Sequence, residues 1–384
     1  MSTASSPNAA SARLPISVIT GFLGSGKTTL LNRLLQHPGM DRTAVLINEF
    51  GEIGIDHALV RQSSEDIVLL NSGCLCCTVR GDMVDTLRDL FVKRVRGEIP
   101  PFDRVVIETT GLADPAPILH TLMTDALISE RFRLDGVVTT IDSAVGMNEL
   151  DQHVESVKQA AVADRLVLTK SDLVDDETRA RLARRLHLIN PGAPQLQAVM
   201  GEIDPACLFD AGLWNPATKS PDVARWLREE AYEGGPGHHD HHHGHDHGHE
   251  HDHGHHHHGE HAHGPGAHGQ DPHDVNRHDD RIRAFCFTAD NPIPWSTFTL
   301  WMELLATSGG ENLLRVKGLV NIAESDKPVV IHGVQHVFHP PLILEAWPSE
   351  DRRTRLVFIT RDIERATVEK LFNALVAEES GERT

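Results

Sequence analysis

The sequence GFLGSGKT occupies Gly21–Thr28, close to the start of the chain. It follows Leu14–Thr20, a β-branched run that predicts a strand, and it opens Lys27–Gln36, where leucines recur on one side of a helix. Glycines at this spacing let backbone N–H groups turn inward around phosphate oxygens at a helix N-terminus. A strand, a glycine-rich turn and a helix in this order therefore predict a phosphate-binding loop.

The loop supplies a defined set of nucleotide ligands. Lys27 would reach the β- and γ-phosphates, and the Thr28 hydroxyl would ligate Mg²⁺. We predict Lys27 to be catalytic as well as binding. The predicted phosphate-side ligands are Gly21, Gly24, Ser25, Gly26, Lys27, Thr28 and Thr29.

A second phosphate-side element is the apolar run Arg104–Thr109, which carries Glu108 near its end and is followed by Gly111. A carboxylate in this position can hold Mg²⁺ directly or through water, and the glycine permits close approach to a γ-phosphate. Many apolar strands end in an acid, so this interpretation depends on the loop upstream. We predict Glu108 to be a catalytic residue and a magnesium ligand.

The identity of the base is suggested by Thr169–Asp172, which reads TKSD and follows another apolar run. An aspartate there can accept hydrogen bonds from both N1–H and the exocyclic amine of guanine, a pair that adenine lacks. The stem of Lys170 would cover the ring, and Thr169 completes the predicted base site. A helix cap before Leu173 is the alternative interpretation.

Three thiols lie within four residues, at Cys74, Cys76 and Cys77. Thiolates this close can converge on one ion; tetrahedral sulfur ligation favours zinc, although softness admits other late metals. So short a chelate leaves the shell to be completed elsewhere, which suits transfer better than permanent binding. A redox pair and a purely structural site are the alternatives.

The acidic segment Asn48–Asp56 lies where a nucleotide hydrolase of this type keeps its first switch. The carboxylates of Glu49, Glu52 and Asp56 could ligate Mg²⁺ or the transported metal. We predict Asp56 as a ligand of Mg²⁺, and the family resemblance described below implies Glu49 as a ligand of the transported metal. The alternative is that these carboxylates only solvate a loop.

The formal net charge of −19 argues against a nucleic-acid partner, because phosphate binding needs clustered Lys and Arg. No apolar run reaches the ~18 residues of a membrane span. Residues 1–13 lack the apolar block of a secretory signal and are expected to be a disordered leader. Crowded cysteines in an odd total of 5 also suit a reducing compartment. We therefore expect a cytoplasmic protein with no membrane partner.

Alternating strand and helix patterns predict an α/β domain over residues 14–232, with a mainly parallel sheet and helices on both faces. Its predicted strands are Leu14–Thr20, Val45–Asn48, Ile67–Leu70, Arg104–Thr109, Gly136–Asp142, Arg165–Lys170 and Gln195–Val199. Its predicted helices are Lys27–Gln36, Met83–Val95, Asp151–Ala163, Glu177–Leu188 and Asp222–Glu230. A smaller α+β domain is expected over residues 281–384. Its predicted elements are the strands Arg281–Thr288, Leu313–Ile322, Pro328–Phe338 and Arg355–Thr360, and the helices Trp295–Thr307 and Ile363–Ala377.

Residues 233–280 separate the two domains, and 19 of the chain's 27 histidines lie between His238 and His278. With little to bury, this low-complexity segment is expected to be a flexible linker. Neutral imidazole is a good ligand for Zn²⁺, Co²⁺, Ni²⁺ and Cu²⁺, so we favour a low-affinity metal buffer over a passive linker. The first ten of its predicted ligands are His238, His239, His241, His242, His243, His245, His247, His249, His251 and His253.

Two further histidines, His332 and His336, are four residues apart in a predicted strand. On one strand both side chains would face the same side, which makes a metal site conceivable. Ordinary core or surface histidines are the alternative.

Taken together, Gly21–Thr28, Asn48–Asp56, Gly73–Cys77, Glu108–Pro115 and Thr169–Asp172 resemble the motifs of the CobW/YjiA-like metal-trafficking P-loop GTPases. The resemblance extends to a CobW-type C-terminal domain around Arg315–Leu319. It implies GTP and Mg²⁺ as cofactors, zinc or cobalt at the Cys-x-Cys-Cys motif, and switch regions that couple metal to nucleotide. One departure is Thr169, where many GTPases carry an asparagine; the loss of its bridging amide is expected to weaken base affinity. No residue stands out as positioning water, so turnover without a partner is expected to be slow.

The leading hypothesis is a GTP-hydrolysing metallochaperone that delivers zinc to a client metalloprotein. Cobalt delivery, for cobalamin synthesis or nitrile hydratase, is its close rival. Two further hypotheses remain. One is a metal-storage protein whose nucleotide site is regulatory, and the other is a small-molecule kinase. A homodimer is an open alternative to a monomer.

Overall fold

The computed structural model describes residues 13–48, 60–63, 67–70, 75–78, 83–209 and 281–381. These residues form two β-sheets, each with its own helices. The strands of the first are β1 (Leu14–Gly21), β2 (Thr43–Asn48), β3 (Val60–Ser63), β4 (Ile67–Leu70), β5 (Leu75–Thr78), β6 (Arg104–Thr109), β7 (Phe132–Asp142), β8 (Arg165–Thr169) and β9 (Gln195–Ala198). The helices around it are α1 (Lys27–Leu34), α2 (Met83–Arg96), α3 (Ala116–Thr124), α4 (Ala126–Arg131), α5 (Gly146–Gln152), α6 (Val154–Ala161) and α7 (Asp176–Ile189).

The first sheet has the order β3-β4-β5-β2-β6-β1-β7-β8-β9. Its strands run parallel from β5 through β9, whereas β3 and β4 pair antiparallel at one edge. Neighbouring side chains of β1 point to opposite faces, as the pleat of a strand requires. Val18 packs with Leu87 of α2, and Ile19 packs with Leu30 of α1. The predicted mainly parallel sheet with helices on both faces is confirmed.

The second sheet is antiparallel and forms a separate lobe. Its strands are β10 (Ile282–Ala289), β11 (Leu313–Val320), β12 (Val329–Val334), β13 (Val337–Phe338), β14 (Leu342–Ile343) and β15 (Thr354–Arg361). Two helices, α8 (Trp295–Gly309) and α9 (Arg365–Gly381), complete it. The fully buried Trp301 of α8 packs in one core cluster with Phe358 of β15 and Phe372 of α9. This arrangement matches the predicted smaller α+β unit.

The two lobes share buried contacts. Leu314 of β11 and Ile359 of β15 join a core cluster that also contains Leu166 of β8. Beside it, the buried carboxylate of Asp164 accepts hydrogen bonds from Arg315 Nη2 at 2.5 Å and Lys317 Nζ at 3.0 Å. Buried ion pairs therefore connect the two lobes, in addition to the apolar contacts.

Two predicted elements are wrong in detail. The helix expected over 151–163 is two helices, because the backbone at His153 is extended (φ −126°, ψ 112°) between α5 and α6. The strand expected over 328–338 is a hairpin, because Gln335 has a left-handed φ of 53° and starts a turn between β12 and β13. His332 lies in β12 and His336 in that turn, so the prediction that they share one side of a strand fails.

Several predictions lie outside the described residues. They concern the leader, the helix at 222–230 and the histidine-rich segment at 233–280. Within the described ranges, no helix combines the length and the apolar character that crossing a membrane requires.

Candidate nucleotide and metal site

The glycine-rich loop joins β1 to α1 as predicted, and two of its glycines are required by the backbone. At Gly21 a Cβ atom would lie 2.3 Å from Thr140 Oγ1 of β7, which leaves no room for a side chain. Gly26 has a left-handed φ of 91° at the N-cap of α1, and that conformation favours glycine. A 2.7 Å hydrogen bond between the hydroxyls of Ser25 and Thr140 connects the loop to β7.

Lys27 and Thr28 begin α1 and point to the phosphate side of the loop. The Lys27 ammonium is buried and donates to the carbonyl oxygens of Gly21 and Phe22, each at 3.0 Å. The Thr28 hydroxyl donates to Glu108 Oε1 at 2.6 Å. A hydroxyl and a carboxylate in contact beside a phosphate cradle are the oxygen donors that Mg²⁺ prefers. These residues therefore fit a Mg²⁺–nucleotide complex.

Glu108 owes its position to the middle of the sheet. Its strand, β6, lies between β1 and β2, and Glu108 pairs in register with Ile19 on one side and Ile47 on the other. The residue is 1% exposed. Because parallel strands end at one edge of a sheet, Glu108 and the loop after β1 meet there.

The predicted base-side motif touches the phosphate loop directly. The Thr169 hydroxyl donates to the Ser25 carbonyl at 2.7 Å and lies 3.2 Å from the Ile141 carbonyl. The resemblance implied that a bridging amide is lost at this position. In the structure the threonine hydroxyl bridges to the loop instead, although with one proton rather than two.

Lys170 and Asp172 follow at the end of β8. Lys170 has a left-handed φ of 51°, and its ammonium donates to Gly24 O at 2.9 Å and to Asp142 Oδ2 at 2.5 Å. Asp172 is exposed in the 3₁₀ turn Ser171–Leu173, whose first residue is buried. The structure therefore brings Lys170 to the loop and leaves the Asp172 carboxylate open to solvent beside it.

Two carboxylates at this edge of the sheet were missed by sequence reasoning. Asp142 ends β7 and is 3% exposed. Burial, reinforced by the charge of Asp142, raises the pKa of Glu149 on α5 to about 7, while Lys170 and Lys27 oppose that rise. The available signal was the position of Asp142 at the end of a predicted strand; nothing local marked Glu149.

A second missed element is the loop after β9. Met200 has a left-handed φ of 51° and is 74% exposed. A Cβ atom on Gly201, φ 76°, would lie 2.8 Å from the carbonyl oxygen of Thr29 in α1. Since β9 neighbours β8, this loop and Asp172 lie at the same sheet edge. Val199–Glu202 is thus a further candidate for contacting the base.

The segment after Glu108 is fastened to α6. The side-chain amide of Gln159 donates to the carbonyl oxygens of Gly111, at 3.2 Å, and Ala113, at 3.0 Å. Lys158 Nζ donates to Asp114 Oδ2 at 2.7 Å. These hydrogen bonds connect the segment around Gly111 to α6.

Of the predicted metal ligands, the structure describes the backbone of two. Cys76 and Cys77 lie in β5, which pairs with β2 so that Cys77 is opposite Leu46, and Leu46 is opposite Ile107 of β6. Cys74, Glu49 and Asp56 lie outside the described residues, as do the predicted histidine ligands at 238–253. Among the described residues, no three His, Cys, Asp or Glu side chains are grouped to hold a metal.

Two family models match the sequence. The model described as "CobW/HypB/UreG, nucleotide-binding domain" matches residues 15–197, and "Cobalamin synthesis protein cobW C-terminal domain" matches residues 282–376. The two matches coincide with the two lobes of the structure.

Curated relatives carry names from metal handling. The chain is 38% identical over 197 residues to "Zinc chaperone YjiA" of Escherichia coli, covering 51% of this chain and 61% of that protein. It is 35% identical over 198 residues to "Zinc-regulated GTPase metalloprotein activator 1" of Schizosaccharomyces pombe, covering 50% and 47%. It is 33% identical over 237 residues to "Zinc chaperone CobW" of Sinorhizobium sp, covering 52% and 63%. The matches thus span about half to two thirds of the relatives' lengths.

Among solved structures, the Zn(II)-bound YjiA GTPase from E. coli superimposes with a TM-score of 0.68 at 27% identity, covering 95% of this chain and 99% of that one. A Zn(II)-bound triple mutant of the same GTPase gives a TM-score of 0.69 at 26% identity. The similarity therefore includes both lobes.

Proposed function

Since the chain belongs to the CobW/YjiA-like family of P-loop proteins, we propose that it is a GTP-hydrolysing metallochaperone that delivers a transition metal, zinc in the first place, to a client protein. The observation that carries this proposal is the strand order β5-β2-β6. It puts Cys77 two strands from Ile107, the residue before Glu108. With strands about 4.8 Å apart, the backbone of Cys77, the last residue of the proposed metal motif, lies about 10 Å from that of Ile107.

The nucleotide half of the proposal uses residues that already contact one another. Lys27 would exchange its bonds to the loop carbonyls for bonds to phosphate oxygens, and Thr28 with Glu108 would hold Mg²⁺. When bound, Mg²⁺ neutralises charge on the β- and γ-phosphates. Asp172 would accept the N1–H and amine of guanine, and Lys170 would cover the ring.

The metal half uses Cys74, Cys76 and Cys77 as thiolate ligands, with Glu49 completing the shell and Asp56 serving Mg²⁺. Zinc is preferred to cobalt because thiolates favour it and because two of the similar proteins, from E. coli and Sinorhizobium sp, are named zinc chaperones. Because the metal is to be delivered to a client protein, its set of ligands must be able to release it. We assign this protein to the cytoplasm, where thiols stay reduced.

Nucleotide and metal would communicate through the segment at Gly111. It follows Glu108 directly and is held by Gln159 in the structure. A γ-phosphate drawing the Gly111 backbone inward would compete with that bond. Cargo affinity would then differ between the GTP and GDP states.

The test is to measure zinc affinity of the full chain with a non-hydrolysable GTP analogue, with GDP and without nucleotide. We expect the GTP-analogue and GDP values to differ at least fivefold, and by linkage zinc must shift nucleotide affinity by the same factor. Identical zinc affinities in all three nucleotide states would refute the proposal that the nucleotide controls metal delivery.

Cysteine variants separate the two halves. Replacing Cys76 and Cys77 by serine should abolish the tight zinc site while leaving nucleotide affinity within about twofold, because the phosphate loop uses neither thiol. Cys207→Ser, at an exposed free cysteine, is the matched control and should change neither. Loss of both activities in the double variant would contradict the site assignment.

The histidine-rich segment favours storage as a second function. We propose that its 19 histidines hold several ions weakly and raise their concentration near the cysteines. Deleting residues 238–278 should lower total zinc capacity and leave the tight site intact. If the cysteine site takes up zinc as fast in the deletion variant as in the full chain, the histidine-rich segment is a passive linker.

A further inference from the structure

Two histidines from different lobes meet at the junction of α3 and the β12–β13 turn. His120 comes from α3, and His336 comes from the turn that begins at Gln335. Their ring centroids are 5.0 Å apart and the ring planes cross at 70°. Helix α3 is the element that follows the phosphate-side segment, and Asp114 in that segment accepts the first helical N–H, from Ala116, at 2.9 Å.

One nitrogen of His120 is already committed. Its Nε2 lies 2.9 Å from the carbonyl oxygen of Val334 in β12, and since a carbonyl can only accept, Nε2 carries the proton. The lone pair of the neutral ring is then on Nδ1. Burial lowers the pKa of His120, against a smaller opposing effect of the Val334 bond. Histidines that ligate metals commonly donate their other N–H to a backbone carbonyl in this way.

The spacing of the rings fits a shared ion. With a zinc–nitrogen distance of about 2.05 Å and about 1.1 Å from nitrogen to ring centre, each centre would lie about 3.2 Å from the metal. At a tetrahedral angle, two such centres are about 5.2 Å apart. The observed 5.0 Å is within 0.2 Å of that value. Ordinary edge-to-face contact covers a much wider range, about 4.5–7 Å.

We propose that His120 and His336 form a second transition-metal site, for Zn²⁺ or a similar divalent ion, at the junction of the two lobes. Two protein ligands leave two tetrahedral positions for water or for a side chain of another protein. Such a site exchanges its ion readily, as a transfer site must. It requires neither the cysteines nor the nucleotide, so it stands or falls independently of the proposed function.

The location gives the site a consequence. An ion held by both rings would tie the β12–β13 turn of the C-terminal lobe to α3, directly after the segment that includes Gly111. Metal occupancy and the position of that segment would then be linked. The buried Val334 packs in the same core cluster as Leu119 of α3, so the two elements are already in contact.

The experiment is residue-resolved carbethoxylation of the full chain with diethyl pyrocarbonate, read by peptide mass spectrometry. Zinc is supplied in excess over all 27 histidines. Because the reagent needs the free lone pair, bound zinc should slow modification of His336 at least fivefold, and EDTA should restore the rate. His187, exposed on α7, is the internal control and should not be protected.

Two variants make the test decisive. His120→Gln keeps an N–H to donate to Val334 but lacks the imidazole lone pair, so zinc should no longer protect His336. His336→Asn should in turn remove zinc protection of His120. Circular dichroism and melting temperature confirm that each variant is folded. The proposal is overturned if zinc leaves His336 unprotected in the native chain, or if protection persists in His120→Gln.

Discussion

Asp172 lies exposed after β8, beside a lysine that reaches back to the phosphate loop. We predict that Asp172→Asn lowers GTP affinity at least ~100-fold, because two charge-assisted hydrogen bonds of about 1.5–3 kcal/mol each are lost. Xanthosine triphosphate should bind the variant better than GTP, since its carbonyl can accept from the new amide. Competition against a fluorescent nucleotide measures both.

The control for this substitution is Asp176→Asn, in the first turn of α7, where the carboxylate is exposed and pairs with Arg179. Nucleotide affinity should not change there. Equal GTP affinity in Asp172→Asn and the native chain would show that the motif does not recognise the base.

Glu149 is 8% exposed and has a pKa raised to about 7 by burial first and by Asp142 second. Above that pH its negative charge lies close to the lysines that would meet phosphate. We predict that nucleotide affinity of the native chain rises several-fold more between pH 8 and pH 6 than that of Glu149→Gln. Comparing the two slopes cancels the titration of the nucleotide itself. Parallel slopes would contradict a role for Glu149.

Among the structural elements, β11 contains a glycine, Gly318, whose surroundings leave no room for a side chain. Gly318 pairs with Leu356 on one side and Ile331 on the other. A Cβ atom there would lie 2.1 Å from Arg355 O and 2.7 Å from Leu356 Cα. Because backbone cannot move aside as a side chain can, we predict that Gly318→Ala lowers the free energy of unfolding by about 3 kcal/mol or more.

Gly309→Ala is the matched substitution for that experiment. Its Cβ would meet Ile363 Cδ1, the end of a flexible side chain, at 3.0 Å, and Leu313 Cβ at 3.5 Å, which is ordinary van der Waals contact. Alanine is also preferred to glycine in a helix. Urea titration should show a change within about 1 kcal/mol. Similar losses for both glycines would mean that the β11 backbone is less constrained than the structure shows.

For the whole molecule, the polar cluster of Asp164, Arg315 and Lys317 is a buried link between the lobes. Replacing Asp164 by Asn would leave Arg315 and Lys317 buried with their shared anion removed. We predict a loss of about 3–5 kcal/mol in the free energy of unfolding, the usual result of breaking a buried ion pair. Asp362→Asn, which breaks an exposed pair with Arg281, should lose no more than about 1 kcal/mol. If both variants lose the same free energy of unfolding, the cluster around Asp164 does not stabilise the contact between the lobes.

Acid should weaken the same cluster. Burial lowers the pKa of His332 well below its ordinary value, and Arg315 lowers it further, so the folded chain keeps this ring neutral. As pH falls below about 6.5, the unfolded chain takes up a proton that the folded chain does not, and stability falls by up to about 1.4 kcal/mol per pH unit. We predict a shallower loss between pH 6.5 and 5 for His332→Gln, measured by urea unfolding. An unchanged slope would exclude His332 as a source.

Asp164 adds to this below about pH 4. Burial alone would raise the pKa of its carboxyl, but Arg315 and Lys317 outweigh that effect and hold the pKa well below the ordinary range. A carboxyl group whose pKa is lowered on folding stabilises the fold at pH values above its unfolded pKa of about 3.9. That stabilisation is lost progressively as the pH falls from this value towards the folded pKa. Both groups therefore make the lobe junction weaker in acid.

Much of the site could be predicted because its signals are local. The loop at Gly21–Thr28 needs glycines at fixed positions whatever surrounds it, and the apolar run before Glu108 marks a buried parallel strand. The same reasoning could not find Glu149, since its pKa depends on Asp142, seven residues earlier, and on lysines from two other elements. Nor could it find the break at His153, where an extended backbone interrupts a helical pattern.

Periodicity and glycine placement were enough to specify the phosphate loop and the mainly parallel sheet, because the pattern of apolar residues within each segment reflects its own burial. Tertiary structure alone decided which distant side chains meet. It brings Thr169 to Ser25, Arg315 to Asp164 and His120 to His336, pairs that are separated by 144, 151 and 216 residues. The physical reason is that a hydrogen bond or a shared ion depends on distances of a few ångströms between elements, and only the packing of the sheets and lobes sets those distances.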